Sequence, residues 1–161
     1  MMYLIRPCGI RISHTEMYTA ESLCGVFTSL VEAFSDTPLA DDIQGVVYDR
    51  ACDLHPYLER LALEGNVVAS RFKQLRFIVD VWHAEKHTMP KCDISHPDCQ
   101  YHPDLNKFSD VRKMNTEICE QSFHCLNPFK HITRNMTYGK RMCLLKIIDS
   151  DYNSRLSSSL S

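Results

Sequence analysis

The sequence predicts an α/β domain whose sheet is at least partly parallel. Short apolar segments typical of strands alternate with amphipathic segments typical of helices, in the order β-α-β-α-β. The chain has 161 residues, of which 44% are hydrophobic and 24% charged, as expected for a globular protein of one domain. These observations set aside disordered and fibrous classes.

The amino-terminal half supplies the alternating pattern. Residues 8–13, CGIRIS, predict the first strand, and residues 20–34 predict a helix because their apolar residues recur at helical spacing. After a turn-rich connector at 35–42, residues 45–49, GVVYD, predict a second strand that ends on Asp49. Residues 51–64 predict a helix stopped by Gly65, and residues 75–82, LRFIVDVW, predict the third strand.

The pattern breaks after the third strand. Residues 83–108 are rich in His, Cys, Pro and Asp, and they lack a clear periodicity. A helix is predicted at 111–126, and the Ser-rich residues 149–161 predict a disordered tail. We therefore expect one domain over residues 1–148, with a His- and Cys-rich insert at 83–108.

Neither membrane insertion nor secretion is predicted. No apolar stretch reaches the length of about 18 residues that a membrane helix needs. The first ten residues lack the features of a secretory signal. We expect an intracellular, reduced protein whose eight cysteines, none in a CxxC pair, are thiols or metal ligands.

The charge is unevenly distributed. Residues 1–66 hold 4 basic and 10 acidic side chains, whereas residues 107–146 hold 8 basic and 3 acidic ones interleaved with aromatic residues. The basic segment fits a phosphate-binding face. The alternative is a solvated helix face whose aromatic side chains lie in the core.

A cluster of possible metal ligands lies in the insert. Imidazoles and thiols bind zinc, and the i, i+4 spacing of His83 and His87 places both on one face of a helical turn. The alternative is a polar loop with incidental His and Cys residues. The cluster contains His83, His87, Cys92, His96, Cys99 and His102.

A second constellation is acidic. Asp49 closes one predicted strand, Asp80 lies near the end of the next, and Glu117 and Glu120 are spaced i, i+3 on a predicted helix. Carboxylates that converge at strand ends can hold two divalent ions for phosphodiester chemistry. Acidic residues are also common there as helix caps and as solvated surface.

Four segments of the chain carry motifs in a fixed order. Residues 45–58 contain YDxAC, residues 76–92 contain VDxxHxxxHxxxxC, and residues 114–123 contain NTExCEQ; residues 16–34 add the upstream segment EMYTAESLCGVFTSLVEAF. Taken together, these segments resemble one known family, the Kyakuja-Dileera-Zisupton (KDZ) transposases, over about residues 8–148. Three ordered motifs are far more specific than any one of them.

The resemblance implies a ribonuclease H-like fold and a DDE-type acidic triad that holds two Mg²⁺ or Mn²⁺ ions for DNA strand cleavage and transfer. Asp49 matches the second acid of the family, and Glu120 or Glu117 matches the helical glutamate. His83, His87 and Cys92 match the His/Cys cluster, with Cys99 a further candidate zinc ligand. The implied partners are DNA at transposon ends and targets and a second copy of the chain, and the implied location is the nucleus.

One acid of the family's triad has no counterpart in this sequence. The first acid of the family lies on the opening strand of the fold, upstream of a segment like residues 8–13, and no residue here matches it. We therefore expect a partial domain, incomplete at its N-terminal strands, that is inactive as an isolated transposase. The alternatives are a domesticated, zinc-supported module that binds nucleic acid or protein without catalysis, and a remnant that does not fold alone.

Overall fold

The computed structural model describes residues 2–17, 21–34, 43–86, 100–103, 115 and 118–160. Two compact units are present: one comprises Met1–Met2 and Thr15–Thr116, and the other comprises Tyr3–His14 and Glu117–Ser161. In chain order the elements are β1 (Met2–Ile5), β2 (Arg11–Thr15), α1 (Leu23–Phe34), β3 (Gly45–Val47), α2 (Ala51–Leu63), α3 (Val67–Phe72), β4 (Arg76–Ile78), α4 (Val81–Lys86), α5 (Ile118–His124), a 3₁₀ helix (Asn127–Phe129), α6 (Lys130–Arg134) and α7 (Tyr138–Leu160).

A parallel pair of strands organises the first unit. β3 and β4 are hydrogen-bonded in parallel, with Gly45 opposite Arg76 and Val47 opposite Ile78. A Cβ atom on Gly45 would lie only 2.8 Å from the carbonyl oxygen of Arg76, so the close approach of the strands requires glycine there. The mixed architecture confirms the predicted α/β class, while the ribonuclease H-like fold stays a prediction.

The core of the first unit lies around α2. Leu54 and Leu58 of this helix are fully buried, and Val26 and Leu30 of α1 are almost as inaccessible. Since α2 packs against α3, β4 and α1, its apolar face is covered on several sides. The predicted helices at 20–34 and 51–64 agree closely with α1 and α2.

A short break separates α2 from α3. Gly65 follows α2 with a φ of 93°, a backbone conformation that glycine adopts readily. Asn66 then caps α3, because its side-chain Oδ1 accepts a hydrogen bond from the N–H of Ala69 at 2.9 Å. The sequence signal Gly65-Asn66 therefore both ends one helix and begins the next.

The strand prediction at 75–82 is too long. β4 ends at Ile78, and Val81 and Trp82 already belong to α4. Asp80 accounts for the change, because its carboxylate accepts the N–H of His83 and its carbonyl accepts the N–H of Ala84. A helix cap thus ends an apolar run that local periodicity would continue as a strand.

The amino-terminal segment forms a hairpin of β1 and β2 instead of the single predicted strand at 8–13. The N–H of Arg6 donates to the carbonyl of Ile10, and the N–H of Gly9 donates to the carbonyl of Arg6, both at 2.8 Å. Gly9 has a φ of 95°, which suits this tight turn. Residues 8–10 therefore form part of the turn and the end of the connection, and the strand begins at Arg11.

The second unit joins this hairpin to the carboxyl-terminal helices. The backbone N–H of Arg11 donates to Oδ1 of Asn153, and the side-chain amide of Asn153 donates back to the carbonyl of Arg11. Residues 149–160, which the sequence predicts to be a disordered tail, form the second half of α7. Asn153 in this half of the helix is hydrogen-bonded to Arg11 of the hairpin, a long-range contact that composition does not reveal.

Other predicted segments are described only in part. The following predicted parts lie outside the described residues: the connector at 35–42, residues 87–99 and 104–108 of the insert, and residues 111–114, 116 and 117 of the predicted helix at 111–126. The described end of that helix, α5, stops at His124. Among the described helices, none is both long and apolar enough to cross a membrane.

Candidate functional site

The candidate site lies where the two parallel strands of the first unit end. The N–H of Tyr48 donates to the carbonyl of Ile78 at 3.0 Å, so the pairing of β3 with β4 continues one residue beyond β3. In this register Asp49 is the counterpart of Asp80. Ligands commonly bind outside the carboxyl ends of parallel strands, which makes this edge a candidate binding site.

Asp49 is a half-buried carboxylate in an acidic environment. Burial is the main cause that raises its pKa, and the negative charge of Glu21 adds to the effect, with a smaller contribution from Asp80. The imidazole of His83 and the backbone N–H of Arg50 act in the opposite direction. The carboxylate is therefore held in a place where its negative charge is poorly compensated.

One oxygen of this carboxylate stands out. Oδ1 of Asp49 is buried and accepts no hydrogen bond within the part of the chain that the structure describes. A buried, unpartnered acceptor costs free energy unless another group satisfies it. Oxygen atoms of this type are preferred ligands of Mg²⁺ and Mn²⁺.

Glu21 and Tyr48 form a hydrogen-bonded pair beside Asp49. The hydroxyl of Tyr48 donates to Oε1 of Glu21 at 2.7 Å. Burial, and then this hydrogen bond, raise the pKa of Tyr48, so the phenol stays protonated and continues to donate. Sequence reasoning missed Glu21, because an acidic residue just before a helix has the ordinary pattern of a helix terminus.

Asp80 and His83 form a second pair. Oδ1 of Asp80 accepts the backbone N–H of His83 at 3.0 Å, and its Oδ2 lies 2.6 Å from Nδ1 of the same residue. The side chain of Asp80 is 10% exposed and that of His83 is 33% exposed. Since Nδ1 faces a carboxylate, Nε2 is the ring nitrogen left for another ligand, an arrangement common among metal-bound histidines.

This pairing joins two residues that the sequence places in different constellations. Asp80 was expected among the metal-holding acids and His83 among the zinc ligands. In the structure both oxygens of Asp80 contact His83, so Asp80 caps α4 and orients that imidazole. The spacing D-x-x-H in VDxxH is what this geometry needs, because position i+3 of a new helix offers its N–H to the cap.

Residues 100–103 of the insert are hydrogen-bonded to the residue that follows β4. The N–H of Val79 donates to the carbonyl of Tyr101 at 3.0 Å, and Tyr101 is itself buried. Its hydroxyl lies 3.3 Å from Nδ1 of His55, whose ring stacks on Phe77. Residues 100–103 therefore cover β4 next to the site.

Asp53 has no part in the site despite its position four residues after Asp49. Its Oδ2 accepts hydrogen bonds from Nε and Nη2 of Arg50 at 3.0 and 2.8 Å. This surface ion pair satisfies the carboxylate locally. Asp53 is thus a matched control for substitutions of Asp49.

The structure does not describe the side chains of the predicted helical glutamates or of most of the predicted zinc ligands. Glu120 belongs to α5 in the second unit, and its side chain lies outside the description. Glu117, His87, Cys92, His96 and Cys99 lie outside the described residues altogether. Among the residues that are described, no group of three or more His, Cys, Asp or Glu side chains could hold one metal ion.

Comparison with known proteins gives the family. Residues 4–153 match the family model described as Kyakuja-Dileera-Zisupton transposase. Because the match covers most of the chain, the protein belongs to the KDZ transposase family, and its function is transposase-derived. Neither the curated proteins nor the solved structures contain a match to this chain.

Proposed function

We propose that this chain is part of a ribonuclease H-like, DDE-type DNA transposase domain, in which Asp49 is one of the carboxylates that hold Mg²⁺ or Mn²⁺. The observation that supports the proposal is the buried Oδ1 of Asp49, which accepts no hydrogen bond from the described residues. Its place at the carboxyl end of a parallel strand pair also fits a catalytic carboxylate.

The side chains at this edge of the strand pair have different proposed roles. Asp49 would hold the cation, and Glu21 adds negative charge next to it. Asp80 keeps the ring of His83 in place. Divalent ions in such a site activate a water or hydroxyl nucleophile and stabilise the leaving oxygen of the phosphodiester.

The other two acids of the proposed triad are a helical glutamate and the first acid of the family. Either Glu120 or Glu117 would supply the helical glutamate, as the family resemblance implies. Replacing each of them by glutamine in turn would show which of the two is needed. No residue of this sequence matches the first acid of the family. Because two-ion catalysis needs all its carboxylates, we expect no DNA cleavage or strand transfer from the 161-residue chain alone.

The test of Asp49 is the response of folding stability to Mn²⁺. A cation present at 100 times its dissociation constant stabilises the folded state by about 2.7 kcal/mol. We expect Mn²⁺ to raise the unfolding midpoint of the wild-type chain and of Asp53→Asn, but not that of Asp49→Asn. The assignment would be contradicted if Mn²⁺ did not raise the unfolding midpoint of the wild-type chain, or if it raised the midpoint of Asp49→Asn by the same amount.

Catalysis and zinc have separate tests. Metal-dependent nicking or strand transfer by the purified chain, abolished by Asp49→Ala, would show that the expected inactivity is wrong while supporting the role of Asp49.

For zinc, we propose that His83, His87, Cys92 and Cys99 are ligands. Elemental analysis of folded, unchelated protein is then expected to give about one zinc per chain, and much less would exclude this site.

A second candidate function is nucleic-acid binding without catalysis, in a module supported by zinc. The segment from residue 121 to residue 148 favours it, because it contains five Lys and Arg residues and no Asp or Glu. DNA binding that is sensitive to salt and survives both Asp49→Asn and Glu120→Gln would support this function over catalysis.

A further inference from the structure

The indole of Trp82 lies beside the candidate site and is accessible to solvent. Trp82 belongs to α4 and is 39% exposed, whereas tryptophan is on average a highly buried residue type. Val81, which precedes it, and Val47, at the end of β3, are also exposed. The carboxyl end of the strand pair therefore presents apolar surface as well as carboxylates.

A chain of contacts links the indole to the acids of the site. The ring of Trp82 is perpendicular to that of His83, with 4.6 Å between the ring centres. His83 is itself held by both oxygens of Asp80, and its imidazole opposes the rise that burial causes in the pKa of Asp49. One perpendicular neighbour covers at most one face of an aromatic ring. The indole is thus oriented by His83 and keeps accessible surface for a stacking partner.

The charge of the site indicates what this stacking partner is. Asp49, Asp80 and Glu21 make the edge negative, so a phosphate group is repelled unless a cation lies between them. The face of a nucleobase has no net charge, and it stacks favourably on an aromatic side chain. An exposed indole beside carboxylates therefore fits a base of a nucleic acid better than its backbone.

Base pairing limits which bases can reach the indole. Inside an intact duplex both faces of a base are covered by its neighbours, so a protein side chain stacks on bases that are unpaired or turned out of the helix. Unpairing costs least where the strand is already single or mismatched. A stacking contact at this edge thus implies a preference for DNA that is locally unpaired.

We propose that Trp82 stacks on an unpaired nucleobase of the DNA strand bound at this edge. The inference rests on the proposed function for the identity of the ligand, and it adds a substrate preference and a contact residue to it. Stacking tolerates every base, because each has a π-face, so the contact selects unpaired DNA and not a sequence.

The experiment compares two single-stranded oligonucleotides of about 12 nucleotides, one with thymine at every position and one without bases. Both carry the same phosphates, so the ratio of their dissociation constants for the full chain isolates the contribution of the bases. Binding is followed by the anisotropy of a dye on the oligonucleotide. We expect the thymine strand to bind about 5- to 100-fold more tightly than the abasic strand, as one stacked base predicts.

The fluorescence of the protein gives a second readout. Trp82 is the only tryptophan of the chain, so its emission reports directly on what contacts the indole. The thymine strand is expected to quench this emission, whereas the abasic strand at saturation is expected to leave it unchanged. A duplex of the same sequence is expected to quench it less than the thymine strand does.

Three variants separate stacking from other contacts. Trp82→Leu is expected to reduce the ratio of dissociation constants to about one, since leucine has no aromatic face, while Trp82→Phe keeps most of it. Tyr138→Leu is the matched control, because Tyr138 is also an exposed aromatic residue but belongs to the second unit, and its ratio should equal that of the wild type. Should Trp82→Leu fail to fold, the quenching of the wild type by the two strands decides.

Three results would overturn the inference. These are a wild-type ratio near one, equal quenching by the two strands, and a folded Trp82→Leu variant with the wild-type ratio. The ratio is also measured in EDTA, where it should persist because stacking needs no metal. A wild-type chain with this ratio but no stabilisation by Mn²⁺ would refute the metal proposal alone, and the reverse result would refute stacking alone.

Discussion

Replacing Asp149 by alanine is expected to destabilise the second unit severely. Oδ1 of Asp149 accepts a hydrogen bond from Nη1 of Arg11 at 2.8 Å, and its Oδ2 lies 2.7 Å from Nδ1 of His14. The side chains of Arg11 and His14 are only 1% and 5% exposed. Both would lose their carboxylate partner while remaining buried.

The size of the effect follows from what Arg11 retains. Its Nη2 still donates to the carbonyl of Ser122 at 3.0 Å, and its guanidinium still lies 4.1 Å from the ring centre of Tyr152. A carbonyl and an aromatic ring do not neutralise a buried charge, and breaking a buried ion pair on one side costs about 3 to 5 kcal/mol. That loss is comparable to the whole stability of many domains, about 5 to 15 kcal/mol.

Urea unfolding followed by two probes gives the measurement. Far-ultraviolet circular dichroism reports the helices, whereas the fluorescence of the single tryptophan, Trp82, reports the first unit. At a slope of about 1 to 3 kcal/mol per molar urea, Asp149→Ala is expected to lower the dichroism midpoint by about 1 to 5 M.

Two variants make the reasoning refutable. Asp151→Ala removes an exposed carboxylate two residues away and is expected to cost less than about 1 kcal/mol, because its partner Arg155 is exposed. R11M/D149L removes both charges and is expected to lose less stability than Asp149→Ala alone. If Asp149→Ala costs no more than Asp151→Ala, the buried pair does not stabilise this unit.

Two predictions concern the strand pair of the first unit, and both are read out by Trp82 fluorescence in urea. In metal-free protein at neutral pH, Asp49→Asn is expected to raise the free energy of unfolding by about 1 kcal/mol, because it removes a poorly compensated buried charge. Because the pKa of Asp49 is raised in the folded state, the free energy of unfolding of the wild type falls as pH rises from the ordinary value of 3.8 through the folded-state pKa. The stability advantage of Asp49→Asn should therefore disappear in acid. A difference in stability between the two proteins that does not depend on pH would contradict this account. Gly45→Ala is expected to cost about 1 to 3 kcal/mol, because its Cβ would meet the backbone of Arg76 at 2.8 Å. Gly139 lies on α7 of the second unit, so the unfolding of Gly139→Ala is followed by far-ultraviolet circular dichroism; with no atom within 4 Å of the new Cβ, this variant should be neutral or stabilising. Equal losses of stability in the two alanine variants would refute the packing argument.

Local sequence patterns determined the regular elements of the first unit. The helical spacing of apolar residues located α1 and α2, and the run GVVYD located β3 with Asp49 after its end. These features are encoded within a few residues, because helix and strand periodicities act over that range. The ordered motifs also indicated the family, which the family model confirms.

The pairing of polar side chains depended on the tertiary structure. The sequence assigned Asp80 to the acids and His83 to the zinc ligands, and only the helix cap of α4 showed that they bind each other. Glu21 reached the site through a hydrogen bond to Tyr48 across 27 residues of sequence. Many carboxylates in this chain could have made such contacts, and no periodicity distinguishes among them.

The second unit shows the same limit at longer range. Composition predicted that residues 149–161 would be disordered, yet α7 continues to Leu160. Asp149 and Asn153 bind Arg11 of the hairpin, 138 and 142 residues away in the sequence. The sequence by itself determined local periodicity, turns and motifs, whereas the tertiary structure decided which distant charges are buried together, because that depends on which surfaces exclude water in common.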